Sequence, residues 1–299
     1  MRLSQARVVE WHSPGNGYPA ALTADPTGGI WLAAYSGSAT FPGIFNVATD
    51  GSATLRYHAA LPQVRALMMD GMHSLWLISD QPVVERIDAR GESRRFSNFS
   101  SASLIPDWAT DTQGDLWFVE PDQKSIGELL RSGAGRHYRV GVSPDSIAVS
   151  GCCARFMYDH GIGSLRDGAV KLYAISSLSR GHGRWMASSE SGDQWFLGDG
   201  GQVGHIAASG AIHMIALPMN RYASTWRGST VRIVAGRKHD AWFLASAPWV
   251  IGHLRSNGQL NVYILPDDLG AVQGMALDGS GNVWLTAPGA RKIARLTPR

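Results

Sequence analysis

Cysteine and charge are both scarce in this sequence. Its two cysteines, Cys152 and Cys153, are adjacent, whereas a secreted disulfide framework needs several cysteines spaced along the chain. Charged residues make up 17% of the chain, against about 25% in average soluble proteins. The formal net charge is only +3 and no basic run occurs, so the charge pattern gives no indication of a nucleic-acid partner.

Long apolar runs are missing as well. No stretch of about 18 apolar residues occurs, which argues against a membrane-spanning helix. The first residues, MRLSQARVVEW, lack the apolar segment of a signal peptide. We therefore predict a cytoplasmic, monomeric protein that contacts neither a membrane nor nucleic acid.

The sequence also lacks the short motifs that identify many enzymes. Phosphate-binding loops, zinc-ligand spacings, G-x-S-x-G and HExxH are all absent. The pair Cys152 and Cys153 falls at a predicted turn, and no histidine or helix start is expected beside it that would activate a thiol nucleophile. The function must therefore be sought in the fold and in the residues that the fold brings together.

Glycine and tryptophan are abundant, with 35 and 11 copies, and the tryptophans are regularly spaced. Such a composition is typical of short strands joined by tight turns. Six tryptophans stand in a similar apolar strand, and Phe156 takes the midpoint of the one double-length gap. The seven positions are Trp31, Trp76, Trp117, Phe156, Trp195, Trp242 and Trp284, separated by 45, 41, 39, 39, 47 and 42 residues.

Each repeat contains four predicted strands. After the tryptophan strand comes an Ile-Gly-x-apolar strand, then a turn dipeptide such as Asp167-Gly168, and then a strand with a central aromatic residue. The seventh copy lacks its fourth strand, and residues 7–11 have the missing pattern. Units of about 40–45 residues with four strands are propeller blades.

We therefore predict an all-β fold: a seven-bladed β-propeller of four-stranded blades, forming a single domain over residues 1–299. The N-terminal strand 6–12 joins the last blade and closes the ring. The regularly placed tryptophans are predicted to form the core between blades. His205 and His253, on outer strands, are predicted to be structural.

The repeat resembles that of the streptogramin B lyases, the virginiamycin B lyase family. The best match is Asp115-Leu116-Trp117-Phe118-Val119-Glu120 followed by Lys124-Ser125-Ile126-Gly127, and the second is Asn282-Val283-Trp284-Leu285-Thr286 followed by Lys292-Ile293-Ala294-Arg295-Leu296. The resemblance implies the propeller fold. It also implies a lyase that opens a macrocyclic depsipeptide antibiotic by elimination at an ester, using a divalent metal such as Mg²⁺ and histidines in late blades.

The family's histidine positions are not matched in this chain. The equivalent residues, at the start of each inner strand, are Ala20, Arg65, Asp107, Asp145, Arg184, Val231 and Gln273. None of them is histidine, so we predict that the antibiotic-cleaving activity is absent. Mg²⁺ remains possible as a cofactor through the resemblance alone.

Strand direction alternates within a blade, so the loop that enters each inner strand and the loop that follows each tryptophan strand open on the same face. A binding site is predicted on that face. The loop positions three residues after each tryptophan are Ala34, Ser79, Glu120, Asp159, Gly198, Ala245 and Ala287. Polar residues concentrate in the middle blades. Ligand binding is assigned to Arg65, Asp107, Asp145, Arg184 and Gln273.

Glu120, Asp159 and His160 are the candidates for acid/base catalysis on this face, and Glu120 and Asp159 are also candidate metal ligands. The alternative for the charged residues is structural, since Arg65 with Asp107, and Asp145 with Arg184, could form salt bridges between blades.

Two functions follow from this pattern. The first is a propeller that binds a small molecule or peptide-like ligand at the mouth of the central channel, without the family's activity. The alternative is a metal-dependent carbon–oxygen lyase acting on a cyclic depsipeptide or a related ester. A protein-interaction scaffold is a third hypothesis, which a large exposed apolar patch would favour.

Overall fold

The computed structural model describes most of the chain: residues 2–3, 6–37, 39–79, 81, 83–97, 107–151, 153–175, 178, 185–189, 191–198, 202–217, 230–236, 239–245 and 249–298. Almost all regular structure in these ranges is β-strand. The exceptions are three short 3₁₀ turns at Pro14–Asn16, Asp267–Leu269 and Pro288–Ala290. Among the described residues, no helix has the length and apolar character needed to cross a membrane.

The chain divides into two compact units. The first comprises residues 1–3 and 104–264 and contains blades 3 to 6, and the second comprises residues 4–103 and 265–299 and contains blades 7, 1 and 2. Blades 1 to 5 are sheets of four antiparallel strands in chain order, blade 6 adds a short fifth strand, and blade 7 takes one strand from the N-terminus.

In the first unit the strands of blades 3 to 6 follow one another in chain order. Blade 3 holds β11 (Trp108–Thr110), β12 (Leu116–Glu120), β13 (Ser125–Leu129) and β14 (Gly135–Arg139). Blade 4 holds β15 (Pro144–Ser150), β16 (Cys153–Tyr158), β17 (Gly161–Arg166) and β18 (Ala169–Ala174). Blade 5 holds β19 (Met186–Ser188), β20 (Gln194–Gly198), β21 (Gln202–Ile206) and β22 (Ile212–Ala216). Blade 6 holds β23 (Thr230–Ala235), β24 (Asp240–Ala245), β25 (Val250–Arg255) and β26 (Leu260–Ile264), with the short β1 (Arg2–Leu3) parallel to β26.

In the second unit, blade 7 takes its outer strand from the N-terminus. Blade 1 holds β3 (Tyr18–Ala24), β4 (Ile30–Tyr35), β5 (Gly43–Val47) and β6 (Ala53–His58). Blade 2 holds β7 (Val64–Met69), β8 (Leu75–Ser79), β9 (Val84–Ile87) and β10 (Ser93–Phe96). Blade 7 holds β27 (Gly274–Leu277), β28 (Val283–Ala287), β29 (Lys292–Pro298) and β2 (Ala6–His12).

The strand pairing confirms that the N-terminal segment joins the last blade. Strand β2 is antiparallel to β29 along its whole length, from the pair Ala6 and Pro298 to the pair His12 and Lys292. Trp11 stacks on Trp284 with ring centroids 5.6 Å apart, so the two ends of the chain share side-chain packing as well as backbone hydrogen bonds. Seven four-stranded antiparallel blades confirm the predicted fold class.

The hydrophobic core lies between neighbouring blades, as predicted for the tryptophans. Trp284 is fully buried in the cluster shared by blades 7 and 1, and Trp195 in the cluster shared by blades 5 and 6. Trp117 packs partly buried between blades 3 and 4. His253 is also structural, because it stacks on Trp242 at 3.9 Å and its Nε2 lies 2.6 Å from Asp240.

The register of blade 4 corrects one sequence alignment. Phe156 pairs with Gly163, as Phe118 pairs with Gly127 one blade earlier, so Phe156 occupies the position after the tryptophan and Arg155 occupies the tryptophan position. The physical reason is the contact between ring and glycine. A Cβ atom added to Gly163 would lie 2.0 Å from Cζ of Phe156, so only glycine fits opposite this phenylalanine.

Candidate functional site at the inner strands

A repeated β-bulge fixes which residues are equivalent on the inner strands. In blades 1, 2, 4 and 6 the pairing of the first strand skips one residue, and these residues are Ala20, Arg65, Asp145 and Val231. They are four of the seven positions predicted from the repeat. The prediction for these blades therefore identified a real structural position, the inner-strand bulge.

Asp107 does not belong to that set. The amide of Val119 donates to the carbonyl of Asp107 at 3.3 Å, and Trp108 pairs with Phe118. Asp107 is therefore equivalent to the residue after the bulge in other blades. The predicted alignment was wrong by one residue here because cross-strand pairing, and not sequence spacing, sets the register.

The corrected register groups four residues of the first unit, here called the inner row: Asp107, Ser146, Trp185 and Arg232. Each lies opposite the residue two positions after the tryptophan position of its blade, namely Val119, Met157, Leu197 and Leu244. Because successive strand residues alternate between faces, an equivalent register gives their side chains an equivalent direction. The first strands β11, β15, β19 and β23 contact one another in sequence, so the row runs along neighbouring blades.

Hydrogen bonds connect three blades within the inner row. Oδ2 of Asp107 accepts from the Ser146 hydroxyl at 2.6 Å and from the Ile147 amide at 2.9 Å. The Ser146 oxygen in turn accepts from the Met186 amide at 2.9 Å. Ser146 is fully buried, so this chain of bonds holds the Asp107 carboxylate in a fixed place.

Arg232 completes the row from blade 6. Its guanidinium lies over the Trp185 ring, 5.0 Å from the ring centroid, a favourable cation–π geometry. The carbonyl of Trp185 accepts from the Leu197 amide at 3.0 Å, which ties the segment before β19 to β20. Among the described residues, the guanidinium of Arg232 has neither a hydrogen-bond acceptor nor a contacting carboxylate.

Burial dominates the electrostatics of this row. Desolvation raises the pKa of the Asp107 carboxyl to about 6, and the hydrogen bonds from Ser146 and Ile147 and the charge of Arg232 offset only part of that effect. Desolvation also lowers the pKa of Arg232, and the attraction of Asp107 opposes it. A carboxyl with a pKa of about 6 can hold or release a proton near neutral pH, which is a property of functional sites.

The other predicted ligand-binding residues have different surroundings. Asp145 is half-buried at the bulge of blade 4, and Arg65 and Gln273 are exposed at the inner strands of the second unit. Arg184 lies outside the described residues. Their predicted binding roles remain predictions.

Glu120 ends strand β12 and is buried, with only 5% of its surface exposed. Its Oε2 atom accepts from the Ser125 hydroxyl at 2.7 Å and lies 2.8 Å from Nδ1 of His137. All three residues belong to blade 3. The carboxylate therefore has partners within its own blade.

Asp159 and His160 lie farther along the loop than the sequence alignment indicated. Since Arg155 occupies the tryptophan position, the equivalent of Glu120 in blade 4 is Tyr158, the last residue of β16. Asp159 and His160 form the turn to β17, where Asp159 is half-buried and His160 is exposed. A joint role of these two residues with Glu120 stays a prediction. Asp159 does not occupy the position of blade 4 that corresponds to Glu120 in blade 3.

A group of side chains that could hold a cation was sought among the described residues. The one trio of potential ligands found among them is Asp111, Asp115 and Glu128, whose ligating atoms lie within 4.8 Å of one another. These residues flank the opposite end of β12 from Glu120. Asp111 already accepts from the Trp117 indole at 3.0 Å, and Glu128 from Tyr138 at 2.8 Å, so the trio has a structural explanation.

Sequence reasoning missed Ser146, Trp185, Arg232 and His137. Three of them stand next to a residue that was singled out, namely Asp145, Arg184 and Val231. The signal that could have found them was the alternation of strand residues, once the bulge was recognised.

Seven four-stranded blades, the last of which is completed by the N-terminal strand, define a β-propeller protein. The chain belongs to the virginiamycin B lyase family, because the model of that family matches residues 5–296. The resemblance inferred from the repeat motifs is thereby confirmed.

Solved structures support the same fold. A streptogramin B lyase structure is 18% identical with a TM-score of 0.78, covering 98% of each chain. A catalytically inactive virginiamycin B lyase from Staphylococcus aureus, crystallised with quinupristin, is 21% identical with a TM-score of 0.76, covering 99% of this chain and 100% of that one. The extracellular domain of a putative hybrid two-component system from B. thetaiotaomicron is 14% identical with a TM-score of 0.70. That match covers 98% of this chain and 43% of the other chain. No curated protein matches the sequence.

Proposed function

We propose that this propeller binds a small-molecule or peptide-like ligand at the mouth of the central channel, through its inner row, and does not cleave the family's antibiotic. The observation that carries the proposal is the guanidinium of Arg232, which is partly buried over Trp185 and has no acceptor among the described residues. Desolvating a charged donor without giving it an acceptor is costly. A carboxylate or carbonyl oxygen of a ligand would supply that acceptor.

The neighbouring residues suit a ligand of mixed character. The exposed part of the Trp185 face can receive an apolar or planar group beside the acceptor that binds Arg232. Asp107 can donate a hydrogen bond when protonated and accept one when ionised, and its pKa of about 6 makes both states accessible near neutral pH. A few polar groups beside an aromatic wall are typical of small-molecule sites.

The proposed loss of cleavage rests on residue identity. The equivalents of the inner row in the second unit are Ala21, Ala66 and Gly274, and neither these residues nor the four of the first unit are histidines. The four bulge residues Ala20, Arg65, Asp145 and Val231 also include no histidine. In the family that the chain resembles, histidines of late blades perform the elimination, so this chain lacks the corresponding base.

The test uses quinupristin, the compound crystallised with the related S. aureus protein. Isothermal titration calorimetry is expected to show binding to the wild-type chain. After long incubation with Mg²⁺, liquid chromatography with fragmentation mass spectrometry is expected to show the intact ring. Chromatography is needed because elimination inside a ring opens it without changing the mass.

Matched variants assign the binding to Arg232. Arg232→Met is expected to weaken binding about tenfold or more, since it removes a charge-assisted hydrogen bond. Arg94→Met is the control, because Arg94 also lies over an aromatic ring, Phe96 at 5.0 Å, but on the outer strand of blade 2. Absence of binding, or equal weakening by both variants, contradicts the proposal. Efficient ring opening favours the metal-dependent lyase instead.

A further inference from the structure

A solvent-open pocket of about 620 Å³ lies on blade 3, apart from the inner row. Its walls come from the loop between β12 and β13 and from the outer strand β14. The residues that matter for its chemistry are Asp122, Lys124, Ser125, His137 and Arg139. Neither the family resemblance nor the proposed ligand site uses this pocket.

Strand register places the polar groups of the pocket on one face of the sheet. Glu120, Ser125 and Arg139 form one row across β12, β13 and β14, and Phe118, Gly127 and His137 form the row two residues away. Directly paired residues of neighbouring strands share a face, and so do residues two apart along a strand. The two rows therefore bring His137 and Arg139 side by side above Ser125.

Gly127 creates the space in which the histidine is held. Because Gly127 has no side chain, the Phe118 ring lies directly over its backbone, and a Cβ atom there would be 2.1 Å from Cζ of Phe118. The His137 ring then meets the edge of Phe118, with centroids 6.3 Å apart and an interplanar angle of 82°.

The buried Glu120 carboxylate orients the His137 ring. Glu120 is 5% exposed, whereas the His137 side chain is 44% exposed, so the pair bridges the interior and the solvent. Nδ1 of His137 lies 2.8 Å from Oε2 of Glu120, which assigns the Nδ1 proton to that hydrogen bond. Nε2, on the far side of the ring, has no partner among the described residues.

Two cationic side chains, Lys124 and Arg139, also line this pocket. The side chains of Lys124 and Arg139 are exposed, and neither forms an ion pair or hydrogen bond with any described residue. Lys124 is held beside the pocket by its backbone, since its carbonyl accepts from the amide of Val140 at 2.9 Å. Asp122 is the carboxylate on the exposed wall, and the Glu120 charge is shared by Ser125 and His137.

We propose that this pocket binds the oxyanion group, a phosphate or a carboxylate, of a small ligand. Arg139 supplies a planar pair of donors and Lys124 supplies a point charge. Because Nδ1 of His137 donates to Glu120, Nε2 is an acceptor, and it can accept from a phosphate oxygen that carries a proton. The solvent-facing wall carries two cationic side chains and one carboxylate, Asp122, because Glu120 is buried behind it. The pocket therefore suits a single oxyanion group and not a polyanionic chain.

The test follows the His137 ring nitrogens by NMR while inorganic phosphate, and separately acetate, is added to the full chain. Phosphate, acetate or both are expected to shift the NMR signal of His137 Nε2 in a saturable way. The anion that binds more tightly identifies whether the ligand group is a phosphate or a carboxylate. Arg139→Ala and Lys124→Ala are each expected to weaken that binding at least about threefold, and together about tenfold or more. Glu120→Gln is expected to change the Nδ1 signal, because it removes the carboxylate acceptor.

Arg136→Ala is the matched control on the same strand. Arg136 is an exposed arginine whose guanidinium pairs with Glu128 at 3.3 Å, and it lies on the opposite face of β14. It should leave phosphate binding unchanged. No saturable shift of His137 with either anion, or equal weakening by Arg136→Ala, overturns the proposal. Because the inner row is not involved, quinupristin binding and anion binding succeed or fail independently.

Discussion

Replacing Asp107 with asparagine should change how the stability of this protein depends on pH. Asparagine keeps an oxygen that can accept from Ser146 and Ile147 but cannot ionise. Burial raises the pKa of Asp107 from 3.8 to about 6 in the folded chain. A carboxyl whose folded pKa is raised contributes stability that is fully present below the unfolded pKa and is lost as the pH rises through the folded pKa.

The size of this effect follows from the shift. A shift of one pKa unit corresponds to about 1.4 kcal/mol, so Asp107 contributes at most roughly 3 kcal/mol of pH-dependent stability between about pH 4 and pH 7. The side chain is partly exposed, which reduces the figure toward about 2 kcal/mol. Relative to wild type, Asp107→Asn should therefore gain about 2–3 kcal/mol in free energy of unfolding when the pH is raised from 4 to 7.

Urea unfolding at a series of pH values measures this difference directly. The comparison between two pH values removes any pH-independent cost of fitting the amide group into the row. Asp122→Asn is the control, since it removes an exposed aspartate from the same blade. If the stability difference between wild type and Asp107→Asn is the same at pH 4 and pH 7, the argument that burial raises this pKa is wrong.

Two further predictions concern the fold. Deleting residues 1–12 removes β2 and the Trp11–Trp284 stack, so circular dichroism melting should show a large loss of thermal stability, and an unchanged Tm would contradict the role of this strand. Gly204→Ala should destabilise blade 5 by about 1–3 kcal/mol, because the new Cβ would lie 1.8 Å from Cζ of Phe196. Gly135→Ala, at a position with no atom within 4 Å of the new Cβ, should cost little, and equal losses for the two variants would refute the packing argument.

The propeller architecture could be predicted from the sequence because each repeat contains the strand pattern of one blade. The tryptophan positions repeat at blade spacing, and Trp195 and Trp284 pack in cores that are shared with the next blade. The pattern of residues 7–11 matched the strand that blade 7 lacked. Both of these signals survive small errors of alignment.

The site could be predicted only in part, because its residues depend on register. An error of one residue exchanges the two faces of a strand, which is what happened at Asp107 and at Phe156. Phe156 was aligned with the tryptophans by its aromatic character, whereas its partner Gly163 identifies it as the following position. His137 is 17 residues from Glu120, and only the pairing of β12, β13 and β14 brings the two together.

A crystal structure of the chain with quinupristin tests the central claim most directly. The account predicts an intact macrocycle with an oxygen atom within hydrogen-bond distance of the Arg232 guanidinium and a ligand group against Trp185. A ring bound elsewhere with Arg232 still lacking an acceptor, or an opened ring beside the inner row, would contradict it.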